Sequence, residues 1–250
     1  MRSPGAPAPT AIVPPLRVGA ADVWTIALDV GEAERVALAE LLAPEERARA
    51  ARLRLERARR RFVASHAALR QILAAYLGVA PQAVAIEVDR QGKPRLSRSR
   101  HPRGPRFNLS HSGEVALVAV SLHEVGVDVE ATERARDADA LVRRYFAPAE
   151  NEAYFALPQA ARPAAFLAAW TAKEAYLKGC GDGLARDLAS FTVSMPPDAP
   201  ARLLAVTGRR GHESRWRLAR LAVRPGYVGT LAIAAPVAVV RERPWRAAVR

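Results

Sequence analysis

Lysine is nearly missing from this chain. Only Lys93, Lys173 and Lys178 stand among 38 basic residues, so arginine writes almost all of the positive charge. Arg is a permanently charged planar fork, whereas Lys is a compact point charge that can release a proton. Lysines kept against such a bias mark positions where that difference can matter. Cysteine is as scarce: the single Cys180 excludes an intramolecular disulfide framework and suits a reducing compartment. No apolar run approaches the ~18 residues of a helical membrane span. The first stretch, MRSPGAPAPTAIVPPLRVGA, carries five prolines in its first fifteen residues and no hydrophobic core region. Residues 1–20 therefore read as an extended or disordered tail and not as a signal peptide. Together these absences leave a soluble cytoplasmic protein as the expectation.

What is present is an ordinary globular composition: 250 residues, 50% hydrophobic and 25% charged, long enough for a real core. The net charge of +13 makes anionic partners plausible, whether nucleic acid, phosphorylated small molecules or an acidic protein. The densest basic run, Arg47 to Arg61, holds eight arginines opposed only by Glu56. At helical spacing it reads as a solvated face with Leu53, Leu55, Ala58 and Phe62 turned inward. Nucleic-acid binding would call for interleaved aromatics or a reader motif, and neither is visible. A basic nucleic-acid-binding or regulatory protein without catalysis stands as the second reading.

The hydrophobic pattern predicts strand 22–29, helix 31–42, a further helix running to about Gly78, a short strand 84–88, a buried strand within 107–122 and strand 125–130. Helices over 139–146, 148–157 and 163–179 follow, then strands near 190–194, 202–207, 216–223 and 226–234. This order repeats. An ungapped offset of 104 pairs Val23 with Val127, Ala43-Pro44 with Ala147-Pro148, Glu46 with Glu150, Phe62 with Phe166 and Leu73 with Leu177. The fold expected is α+β, with two similar α/β-sandwich-like halves, 21–123 and 124–250, meeting near His123-Glu124 as a pseudo-dimer. A cleft between such halves is the natural place for a site.

In VGVDVE, Val125, Val127 and Val129 alternate with Gly126, Asp128 and Glu130. On a strand the two carboxylates share one face, roughly 7 Å apart. Without a cation they repel, so the pattern is either an exposed strand face or a hard-cation site of the kind magnesium occupies. In WTAKEAYLK, residues Trp170, Glu174 and Lys178 recur at i, i+4 and i+8 and form one stripe, with Lys173 beside it. Glu174 can bring a third carboxylate, and Lys178 can reach a phosphate one turn further on. Gly179, Gly181 and Gly183 end the helix. Gly92-Lys93-Pro94 sets the third lysine in a rigid turn, and Ser110-His111-Ser112 offers a hydroxyl and an imidazole at a strand entrance.

Taken together and in this order, GKPRL, FNLSHS, GVDVE and WTAKEAYLK resemble the 4'-phosphopantetheinyl transferases of the Sfp type, in the W/KEA subgroup. The motifs span residues 92 to 178, and the two-half layout extends the likeness over about residues 20 to 240. The resemblance implies transfer of phosphopantetheine from coenzyme A to a serine of an apo acyl or peptidyl carrier protein, with release of 3',5'-adenosine bisphosphate. It implies Mg²⁺ held by Asp128, Glu130 and Glu174, with Lys178 on the leaving group. Ser110, His111, Lys93 and Lys173 would meet coenzyme A, as would Arg49 and Arg61 on the first long helix. Glu46 stands where the family commonly has a basic residue, which loosens that last assignment. The base for the serine is Glu174, Glu150 or a water. A monomer is expected, with no nucleic-acid or membrane partner.

Overall fold

In a computed structural model of the chain, residues 15–182, 186–235 and 238–246 are described. Residues 1–14 of the Pro-rich tail, and Gly183, lie outside them. The N-terminal lobe runs β1 (Ala20–Ala27), α1 (Glu32–Ala39), α2 (Pro44–Arg52), α3 (Glu56–Leu77), β2 (Ile86–Val88), β3 (Pro94–Leu96), β4 (Arg106–Ser112) and β5 (Val115–Ser121). The C-terminal lobe repeats that order: β6 (Val125–Ala131), α4 (Ala138–Tyr145), α5 (Pro148–Phe155), α6 (Arg162–Cys180), β7 (Phe191–Val193), β8 (Leu203–Val206), a one-turn helix α7 (His212–Arg215), β9 (Arg217–Leu221) and β10 (Tyr227–Ile233). The sheets correspond too, as β1-β5-β4 in one lobe and β6-β10-β9 in the other.

Strand alternation turns each sheet into the middle of a sandwich. Val23, Leu117 and Ala119 face Val125, Val127, Val129 and Leu231 in one apolar layer between the two sheets. The opposite face of the first sheet, with Trp24, Ile26, Val118 and Val120, packs on α3 residues such as Ala64, Ala68 and Ile72. The opposite face of the second sheet, with Leu218 and Ala232, packs on α6 residues such as Ala169, Ala172 and Tyr176. The layers are therefore helix, sheet, sheet, helix, with Asp128 and Glu130 on the face turned to α6.

Three features depart from the sequence expectations. The basic run does not form one helix: the chain is extended at Leu53 (ψ 114°) and Leu55, so α2 and α3 are separate. Leu55 is 74% exposed, not inward, while the Leu53 carbonyl accepts a bond from Arg59 Nη2 at 3.1 Å. A further strand, β11 (Val239–Pro244), returns from the C-terminal lobe and pairs in parallel with β1. The cut at residue 124 therefore does not separate the lobes cleanly. Wholly buried Asp22 secures this return: it accepts bonds from Arg241 Nε at 2.6 Å and Tyr76 Oη at 2.5 Å.

The pairing of Glu46 with Glu150 at offset 104 has a structural reason. Each closes a capping box, accepting from the Ala43 or Ala147 backbone N–H at 3.0 and 2.9 Å. Each also meets a buried cation from its lobe's long helix: Arg70 Nε reaches Glu46 at 2.5 Å, and Lys173 Nζ reaches Glu150 at 2.7 Å. In both lobes that cation then binds carbonyls of the following segment, Pro81 and Val84 for Arg70, Leu188 and Phe191 for Lys173. Glu46 is thus kept by the architecture of its lobe.

Candidate active site

The site lies where the two sheets' edge strands, β4 and β6, meet. Side chains of β4 bond to β6 in register: Asn108 Oδ1 accepts from the Val127 N–H at 2.8 Å, Ser110 Oγ donates to Asp128 Oδ1 at 2.8 Å, and Ser112 Oγ donates to Glu130 Oε2 at 2.7 Å. Alternation on β4 supplies these three polar groups every second residue.

Helix α6 is laid against β6 by two glycines. A Cβ on Gly126 would stand 2.1 Å from the Ala175 carbonyl oxygen and 2.3 Å from the Gly179 nitrogen, so helix and strand touch through their backbones. Gly126 alternates with Asp128 on the same face, and Gly179 directly follows Lys178. Close approach here brings Lys178 Nζ to 2.6 Å from Asp128 Oδ1 and 3.0 Å from Ser110 Oγ. From Ala165 to Gly179, every residue of α6 is buried except Trp170, Glu174 and Lys178. That stripe is the strip of helix left open to the cleft. Trp170 anchors its upper end against Phe146 and Phe166, with ring centroids 6.4 and 5.6 Å away.

Carboxylates crowd this strip. Burial pushes Glu174 above the ordinary carboxylate range, and the negative charges of Asp128 and Glu130 push it further. Burial and then Asp128 raise Glu130, against the bond from Ser112. Asp128 is 3% exposed, and its Oδ2 is buried with no hydrogen-bond partner. An oxygen-only donor set with mutual repulsion and a free buried oxygen fits a hard cation such as Mg²⁺. Among the described residues no three ligating side chains are already gathered into a cage; Lys178 supplies the positive charge at Asp128 instead.

The outer wall is basic. His111 keeps part of its surface in solvent on β4, while the protein packed around its ring first, and then the charges of Lys178, Arg61 and Arg134, lower its pKa. Arg61, Arg57 and Arg60 converge on one oxygen of Glu114 at 2.9, 3.0 and 3.2 Å. Three guanidiniums on one carboxylate leave this corner net positive. Arg49 is exposed, its guanidinium 5.2 Å from the centre of the Phe62 ring, with His66 stacked on that ring at 3.8 Å. Asp128, Glu130, Glu174, Lys178, Ser110, His111 and Arg61 are thus brought to one region, with Arg49 near its rim.

Two lysines are placed elsewhere. Lys173 is wholly buried on the far side of α6 and bound to Glu150, with neither side chain exposed. A phosphate contact for Lys173 and a base role for Glu150 both give way, because the two groups occupy each other in the core. Lys93 is 6% exposed and donates into the C-terminal lobe, so its ammonium does not face the cleft. Sequence reasoning passed over Ser112 and Gly126. A glycine between two valines of the strand was the available signal for the second.

Comparisons with known proteins give the family. A model described as the 4'-phosphopantetheinyl transferase superfamily matches residues 124–234, and one described as 4'-phosphopantetheinyl transferase, N-terminal, matches residues 31–123. The 4'-phosphopantetheinyl transferase HetI of Nostoc sp. is 37% identical over 213 residues, covering 85% of this chain and 86% of HetI. The chain belongs to the 4'-phosphopantetheinyl transferase family. The transferase psf-1 of Bacillus pumilus is 31% identical over 64% of this chain and 66% of its own length. Sfp of Bacillus subtilis is 30% identical over 37% of this chain and 40% of its own. The holo-[acyl-carrier-protein] synthase of Thermotoga maritima, a solved structure, matches 45% of this chain and 62% of its own at TM-score 0.36 and 20% identity, too partial a likeness to add to that assignment. Both family models meet at the seam between residues 123 and 124. No helix among the described residues is long and apolar enough to cross a membrane.

Proposed function

We propose that this phosphopantetheinyl transferase moves the 4'-phosphopantetheine arm of coenzyme A onto a serine of an apo acyl or peptidyl carrier protein, with Mg²⁺ as its metal. The observation that carries the site assignment is the meeting of Lys178, Asp128 and Ser110 at the lobe seam, within a chain of this family. Asp128, Glu130 and Glu174 are the residues that would hold Mg²⁺, and that ion, when bound, supplies charge neutralisation to the pyrophosphate. The carrier serine oxygen forms a bond to the β-phosphorus while the bridging P–O bond breaks, and 3',5'-adenosine bisphosphate leaves. Lys178 faces that leaving oxygen and gives it a proton, a task for an ammonium and not for a guanidinium. The serine proton passes to Glu174 or to water. Ser110 and His111 receive the nucleotide end of coenzyme A, with Arg61 and Arg49 toward its phosphate. Both lobes come from one chain, so a cytoplasmic monomer suffices.

The test is to incubate the protein with coenzyme A, Mg²⁺ and several apo carrier domains and weigh the carriers. A mass gain of one phosphopantetheine is expected. None on any carrier refutes transfer. Glu174→Gln should reduce the rate by about 10²-fold or more; full activity in that variant would remove Glu174 from the metal set.

A further inference from the structure

Lys93 sits in the turn between β2 and β3, where Asp89 Oδ1 accepts from the N–H groups of Gln91 and Lys93 at 3.1 and 2.9 Å. Its side chain leaves that turn and enters the other lobe. The ammonium donates to the Gly179 carbonyl at 2.8 Å, the Val125 carbonyl at 3.2 Å and Glu124 Oε2 at 3.2 Å. Arg95 and Arg106 join it on Glu124 at 2.9 and 3.3 Å, so three cations of the N-terminal lobe grip the first residue of the C-terminal one.

Gly179 lies in the last turn of α6, whose closing carbonyls have no partner within the helix. A cation there also meets the negative end of the helix dipole. Gly179 follows Lys178 directly, and Val125 precedes Asp128 by three residues. One buried ammonium therefore holds the backbone beside both members of the Lys178–Asp128 pair. A compact point donor suits three convergent acceptors in this space.

We propose that Lys93 is a positioning residue, which caps the C-terminus of α6 from the opposite lobe and fixes Lys178 against Asp128 without touching coenzyme A. This rests on the transfer reading, in which Lys178 serves the leaving phosphate. Lys93→Met and Lys93→Gln, in the full chain, are compared with wild type by kcat, KM for coenzyme A, and hydrogen exchange of the amides of residues 177–182. Lys93→Met should lower kcat by about 10- to 100-fold, the scale of a small misplacement of a reacting group. KM for coenzyme A should stay within about threefold, since no ground-state contact is lost. Exchange in the last turn of α6 should quicken. Lys93→Gln, still able to donate to the Gly179 carbonyl, should recover part of both kcat and protection. If Lys93→Met does not fold, Lys93→Gln carries the same three readouts, with a smaller fall in kcat expected.

A KM raised about tenfold with kcat and exchange unchanged would make Lys93 a substrate contact and overturn the proposal. Unchanged kcat with lowered stability would make it purely structural and overturn it equally. A wild type that transfers nothing strikes the transfer reading alone, and the exchange measurement then still decides the cap.

Discussion

Replacing Lys173 by Met tests whether the lysine of the Lys-Glu-Ala motif is a strut or a ligand group. Met keeps most of the length and volume but removes the charge. Lys173 Nζ lies 2.7 Å from Glu150 Oε2, with both side chains at 0% exposure. It also donates to the carbonyls of Leu188 at 2.9 Å and Phe191 at 2.6 Å, and stands 4.3 Å from the centre of the Phe191 ring. Burial pulls Lys173 down and Glu150 up, each against the attraction of the other. Removing the cation strands Glu150 in an apolar core with only the N–H groups of Val193 and Ala147 as donors. Breaking a buried pair from one side costs about 3–5 kcal/mol. That is a large fraction of the ~5–15 kcal/mol of a typical domain. Denaturant unfolding at pH 7 measures it. Lys173→Met with Glu150→Met should cost less than the two single changes added, because no charge is then left unpaired.

The pH dependence has a definite sign. With its cation gone, Glu150 keeps a folded pKa raised by burial above its ordinary 4.5. Its contribution to stability is then full below the unfolded value and is lost as pH rises through the folded one. The gap between Lys173→Met and wild type should accordingly shrink as pH falls from 7 toward 4.5. If Lys173→Met unfolds within about 1 kcal/mol of wild type while kcat/KM collapses, Lys173 faces substrate and its placement in the core is wrong.

Two further outcomes follow from the packing. Gly126→Ala puts a methyl within 2.1 Å of the Ala175 carbonyl oxygen, a backbone atom that cannot swing aside. Helix α6 must lift from β6, so transfer should fall about 10²-fold even where the variant stays folded; a fully active Gly126→Ala would disprove the contact. His66, stacked on Phe62, has its pKa lowered to about 4 by burial. A folded value below the unfolded 6.5 gives stability that is complete above pH 6.5 and lost as pH falls toward 4. The shift corresponds to at most about 3 kcal/mol. His66→Gln should flatten the stability curve in that window, and an unchanged curve would refute the burial of the imidazole.

The chain's own pattern determined a good deal. Period-two alternation in VGVDVE fixed which face carries Asp128 and Glu130, because a strand permits no other arrangement of neighbours. The four-residue spacing of Trp170, Glu174 and Lys178 likewise fixed one helical stripe, and it is the only part of α6 from Ala165 to Gly179 left short of full burial. The repeat at offset 104 carried the two-lobe fold, since matched capping boxes and long helices build matched layers. Spacing along a helix does not say which side of the stripe meets solvent. Lys173, one residue from Glu174, therefore went to the core, where Glu150 from another helix and the carbonyls of Leu188 and Phe191 were waiting. Nor does a turn say where its side chain reaches. Lys93 crosses to the other lobe because Glu124, Val125 and Gly179, 31, 32 and 86 residues away, converge there. The return of β11 to β1 lies beyond local signals for the same reason: Asp22 and Arg241 are 219 residues apart, and only the folded chain makes them neighbours.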